Sequence, residues 1–156
     1  MQLTGVAATR PVRGLVLQNS ATTPADWLRG FFRPSRLKWW ARPAYPFFRF
    51  TLDSVVAAED NVARVRGYRG PLLILAGDLD ITTAPAMSQA LMAASATPDS
   101  LKWLVVLPGA GHDDVLAAPG FAPAYAAFVR VVGGGGSRSS PPPNELLKPT
   151  QRPSLP

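Results

Sequence analysis

His112 is the only histidine in the 156-residue chain. It stands in Leu107-Pro108-Gly109-Ala110-Gly111-His112-Asp113-Asp114, directly after the apolar run Lys102-Trp103-Leu104-Val105-Val106-Leu107. A neutral imidazole takes a proton from a hydroxyl and later returns it to a leaving group, provided that a carboxylate fixes its tautomer. About thirty residues upstream the same pattern ends in acids, where Pro71-Leu72-Leu73-Ile74-Leu75-Ala76 runs into Gly77-Asp78-Leu79-Asp80. An acid after one strand and a histidine after the next are two of the three parts of a Ser, Asp, His nucleophilic catalyst. Asp80 is the preferred acid over Asp78, because Thr82-Thr83-Ala84-Pro85 opens a helix behind it and turns its side chain back over the sheet. Turn and capping hydrogen bonds are the alternative use of both aspartates.

The third part is missing. A nucleophilic serine of this kind sits in G-x-S-x-G, on a strained turn between strand and helix, and no such motif occurs in the sequence. Ser20, in Gln18-Asn19-Ser20-Ala21-Thr22, follows a strand but has no flanking glycine, and Ser54, Ser88, Ser95 and Ser100 lack any supporting context. There is no cysteine, so disulfides and a thiol nucleophile are excluded. One histidine and no cysteine argue against a transition-metal site, and no other cofactor is expected.

Three short apolar runs must position these residues: Gly14–Gln18, Leu72–Ala76 and Trp103–Leu107, each read as a buried strand. Helices are expected from Pro24, over Leu52–Val65, over Pro85–Ala94 and over Pro119–Val132, the last with Phe121, Tyr125, Phe128 and Val132 on one face. Alternation of strand, loop and helix predicts an α/β fold with a parallel sheet and flanking helices. Glycines 109 and 111 are expected to bend the His112 loop, and Asp113 and Asp114 to open a helix. Residues 1–132 read as one domain, with Met1–Ala8 as the end of a helix. Residues 133–156, beginning GGGGSRSS and continuing through Pro141-Pro142-Pro143, read as a disordered Gly/Ser/Pro-rich tail.

Sixteen basic and ten acidic residues give a formal charge of +6. This excess suits anionic surfaces, and an arginine-rich composition without binding function explains it equally. No signal peptide and no span of about eighteen apolar residues is seen, which points to a cytoplasmic or peripheral membrane location. Trp27–Phe50 interleaves nine aromatic residues with Arg29, Arg33, Arg36, Lys38, Arg42 and Arg49, and reads as short helical pieces and loops. Three uses stay open for it: a cap over an acyl pocket, an interfacial patch on a membrane, or core aromatics covering the sheet. Nucleic acid is not an expected partner, since no DNA- or RNA-binding module signature is present.

Taken in order, Gly14–Ser20, Gly77-Asp78-Leu79-Asp80 with Pro85, and Gly109–Asp114 resemble the C-terminal half of α/β-hydrolases. The similarity is to small serine hydrolases that include membrane-associated depalmitoylases, acyl-protein thioesterases and serine peptidases, and it covers about residues 1 to 132. It implies Asp80 as triad acid, His112 as triad base, and an acyl or peptide substrate cleaved at an ester, thioester or amide bond. It also implies a partial α/β-hydrolase fold, truncated before the nucleophile elbow. From this follow an inactive isolated chain, an exposed strand edge and a complementary N-terminal half as partner. A non-catalytic membrane-surface or partner-binding role for residues 27–50 is the alternative.

Overall fold

The computed structural model describes residues 12–134. Three parallel strands form one sheet in the order β1 (Leu15–Gln18), β2 (Leu72–Gly77), β3 (Lys102–Leu107). Leu15 pairs with Leu72 and Gln18 with Leu75, while Leu72 pairs with Lys102 and Gly77 with Leu107. All six residues of β2 are buried, as expected for a central strand covered on both faces.

Alternation along the strands divides the core into two layers. Leu73, Leu75, Trp103 and Leu107 face helix α5 (Phe121–Val132) and pack with Ala124, Phe128 and Val115. Leu72, Ile74, Leu15, Leu17 and Leu104 face the other way, against Val65 of α3 (Asn61–Gly67) and Leu91 of α4 (Pro85–Ala94). The expected α/β architecture of a parallel sheet flanked by helices is therefore present.

Two shorter helices precede α3: α1 (Pro24–Phe31) and α2 (Ser54–Ala57). Thr23 caps α1 by accepting from Asp26 N–H, and Pro24 opens it, a position where the missing N–H costs nothing. The helix expected over Leu52–Val65 is instead two helices. Asp60 takes an extended conformation and its carboxylate accepts from Ala63 N–H, so a residue placed inside one long helix serves as the N-cap of the next. The terminal helix starts at Phe121 rather than Pro119, and Ala124 and Phe128 are its buried residues. Tyr125 points outward at 44% exposure and stacks on Phe121.

Residues 31–50 form two 3-10 segments, Pro34–Arg36 and Trp39–Phe47. The expectation of short pieces holds, since Pro43 and Pro46 forbid a continuous α-helix. The reading of these aromatics as core is overturned: Trp39 is 79% exposed, Phe47 86%, and Trp40, Phe48, Phe50 and Phe31 are exposed as well. No described helix is long and apolar enough to cross a membrane. The helix end expected at Met1–Ala8 and the proline run at 141–143 lie outside the described residues.

Candidate active site

The C-terminal ends of β1, β2 and β3 lie side by side, and the loop after each contributes to one cluster. After β2, Gly77–Asp80 forms a turn in which Asp80 N–H donates to the Gly77 carbonyl. The Asp80 side chain is fully buried. Its Oδ1 accepts from the backbone N–H of Thr82 at 2.7 Å and of Thr83 at 2.8 Å, and its Oδ2 accepts from the Thr83 hydroxyl at 2.6 Å. After β3, the loop carries His112 back over the sheet, and its Nδ1 stands 2.9 Å from Asp80 Oδ2. The two residues singled out by type and spacing are thus brought into hydrogen-bond contact.

The protonation state follows from the donor inventory. Burial by itself would raise the Asp80 carboxyl, but the Thr83 hydroxyl, His112 and the Thr83 and Thr82 amides together hold it below its usual value. An ionised carboxylate only accepts, so Nδ1 of His112 carries the hydrogen and donates it. In the neutral ring this places the lone pair on Nε2. The carboxylate is sealed while 38% of the His112 side chain is exposed.

Asp78, the competing acid, is directed elsewhere. Its Oδ1 accepts from Gly109 N–H at 2.7 Å, clamping the His112 loop to the turn after β2. Gly109 has φ +74 and so needs glycine. Gly111 does not adopt a left-handed conformation; its N–H donates to Asp114 Oδ2. Asp114 stands at the start of a helix as expected, but it is the short 3-10 helix Val115–Ala117, and its side chain makes no cap there.

Three supporting residues escaped the sequence reading. Asn19, at the end of β1, has φ 42. Its Nδ2 donates to the carbonyls of His112 at 2.6 Å and Gly111 at 3.3 Å, and its Oδ1 accepts from Gly77 N–H at 3.0 Å. One buried amide therefore ties all three strand ends together. Thr83 bridges the same groups, its hydroxyl lying 2.9 Å from the Asn19 carbonyl and 3.1 Å from His112 Nδ1. At Gly77, a Cβ would stand 2.3 Å from the Ala110 carbonyl oxygen, so only glycine lets the His112 loop cross β2 this closely. The one sequence signal for Asn19 is its type, since asparagine tolerates left-handed backbone better than other side chains.

His112 and Thr83 open on a cavity of about 570 Å³ that Trp27, Leu52 and Val56 line on the apolar side. Ser20 also lines it, but its hydroxyl donates back to the Gln18 carbonyl. Among the described residues no serine hydroxyl is bonded to His112.

No family model matches the chain. Two uncharacterized proteins of Mycobacterium tuberculosis, from different strains, are each 32% identical to it over 110 residues, 70% of this chain and 33% of their own length. The chain thus spans about a third of the length of these curated relatives. Among solved structures, a hydrolase from Pseudomonas aeruginosa matches with a TM-score of 0.50 at 20% identity, over 85% of this chain and 60% of that one. A monoacylglycerol lipase of Paleococcus ferrophilus matches with a TM-score of 0.49 at 20% identity, over 85% and 64%. The described residues therefore share part of the fold of the Pseudomonas hydrolase, and within this chain Asp80 and His112 meet beyond the C-terminal ends of β2 and β3.

Proposed function

We propose that this chain supplies the acid and base of a serine-hydrolase site that cleaves an ester, thioester or amide bond of an acyl or peptide substrate. The observation that carries the reading is the contact of 2.9 Å between Nδ1 of the partly exposed His112 and Oδ2 of the sealed Asp80. The apolar cavity beside His112 and the fold shared with a hydrolase support it.

In this reading Nε2 of His112 takes the proton of a serine hydroxyl as its oxygen attacks the carbonyl carbon. Asp80 stabilises the imidazolium that forms. His112 then gives the proton to the departing oxygen, sulfur or nitrogen, and water repeats the cycle to release the acyl group. The serine comes from a G-x-S-x-G segment outside this sequence, presented beside the C-terminal end of β1. Without it the 156-residue chain is inactive, since loss of the nucleophile costs on the order of a million-fold in rate.

The test is co-expression of this chain with a polypeptide that carries the serine elbow and the strands before it. Hydrolysis of a p-nitrophenyl acyl ester should appear only in the pair, vanish in His112→Ala, and fall by about four orders of magnitude in Asp80→Asn. A soluble complex that stays inactive, or activity that survives His112→Ala, refutes the reading. The exposure of the aromatic segment favours a second role, surface binding through residues 27–50 without catalysis.

A further inference from the structure

Between Asp26 and Asp53 the chain has six basic residues and no acid. Arg33, Arg36, Lys38, Arg42 and Arg49 are all exposed, and none of these five is in an ion pair among the described residues. The same stretch holds six of the exposed large apolar side chains: Phe31, Trp39, Trp40, Phe47, Phe48 and Phe50. Indoles and phenyl rings this exposed to water are costly unless something covers them.

The backbone of the segment is not left loose. The Arg36 guanidinium donates to the Ile81 carbonyl and lies 5.7 Å from the centre of the Phe31 ring. Arg42 Nε donates to the Leu37 carbonyl at 3.3 Å. Phe32 stacks on Phe50 at 4.2 Å, which closes the base of the segment. The bond from Arg36 also brings in Ile81, itself 68% exposed, so the patch continues onto the loop that follows Asp80.

We infer that residues 31–50 seat the protein on an anionic lipid surface. Trp39, Trp40, Phe47 and Phe48 enter the boundary between headgroups and acyl chains, and Arg33, Lys38, Arg42 and Arg49 meet the phosphates. Aromatic rings at the headgroup level with cationic side chains reaching phosphate are the chemistry such a surface selects. A nucleic acid would also accept stacking and positive charge. Yet from Trp27 to Leu52 there is no asparagine or glutamine, and Ser35, Tyr45 and Thr51 are the only uncharged side chains with a hydroxyl. That leaves no amide side chain to pair with an adenine edge.

The patch reaches the cavity beside His112 through Phe31, which stacks on Trp27 of the cavity lining. An acyl chain drawn from the surface would enter there and meet His112. This consequence for the substrate rests on the hydrolase reading; the docking itself does not.

The experiment is flotation of the full 156-residue chain with vesicles of phosphatidylcholine alone or mixed with phosphatidylserine. Binding should require phosphatidylserine, weaken as salt rises, and blue-shift the tryptophan emission. Trp39→Ala with Trp40→Ala should reduce partitioning at least tenfold. Arg33→Ala, Lys38→Ala and Arg42→Ala combined should reduce it about a hundredfold, at about fivefold for each basic residue. Far-UV circular dichroism checks that the variants keep their fold. Equal binding to neutral vesicles, no binding at low salt, or unchanged binding by both variants overturns the inference. Displacement from vesicles by a short single-stranded oligonucleotide overturns it in favour of nucleic acid. The assay reads no turnover, so its failure leaves the hydrolase reading standing.

Discussion

At the scale of single residues, the organisation of the site turns on a few atoms. If Asp80 fixes the ring of His112, the ring nitrogens will show the Nδ1–H tautomer by nitrogen NMR, and the sole histidine makes the assignment unambiguous. Asp80→Asn should lose that preference, and Asn19→Ala should broaden the signal, because Asn19 holds the carbonyls of Gly111 and His112. The Asp80 carboxyl titrates below its usual value in the folded chain. It therefore stabilises folding above about pH 4, the ordinary carboxylate value, and this contribution is lost as the pH falls through the lowered one. Urea unfolding of the wild type between about pH 5 and 2 should lose stability more steeply than that of Asp80→Asn. Gly77→Ala would press a methyl into the Ala110 carbonyl. An expected loss of about 1–3 kcal/mol in urea unfolding checks this. These contacts were only partly legible. Asp80 and His112 stood out by type and spacing, whereas Asn19 binds Gly77 and Thr83 across 58 and 64 residues and reaches His112 across 93.

At the scale of elements, strands and helices follow local pattern where one periodic face meets one core layer. The runs read as strands became β1, β2 and β3, and Pro85–Ala94 became α4. The reading failed over Leu52–Val65, where Asp60 as a cap divided the helix; over Trp27–Phe50, of the three uses left open, burial in the core is the one that did not occur. Asp60→Ala should remove the bond to Ala63 N–H and cost about 1 kcal/mol in thermal or urea unfolding. Phe128→Ala removes the side chain that packs edge-on against Trp103 under the sheet. A loss of about 3–5 kcal/mol is expected by the same measurement.

At the scale of the whole molecule, the sheet is asymmetric. Among the described residues β1 pairs with β2 alone. Leu15 and Asn19 donate their N–H groups to Pro71 and Leu75, so by alternation the N–H groups of Val16 and Gln18 point away from β2. An unpaired strand edge invites another chain. Sedimentation velocity should show association that grows with concentration, and Val16→Pro, which deletes one outward donor and spares the pairing with β2, should weaken it. Association unchanged by that substitution would place the contact elsewhere.

Residue types and local periodicity were enough to determine three strands in parallel α/β order, the helix behind Asp80, and the pairing of an acid after one strand with a histidine after the next. These depend on interactions within a few residues of the chain, where side-chain volume and backbone preference act directly. Only the tertiary structure decided that Asp78 turns to the Gly109 amide, that Asn19 locks the three strand ends, and that the aromatic segment lies outside the core. Each of these outcomes depends on which distant backbone atoms arrive at a given point. That is a property of how the layers pack, and no local pattern in the chain encodes it.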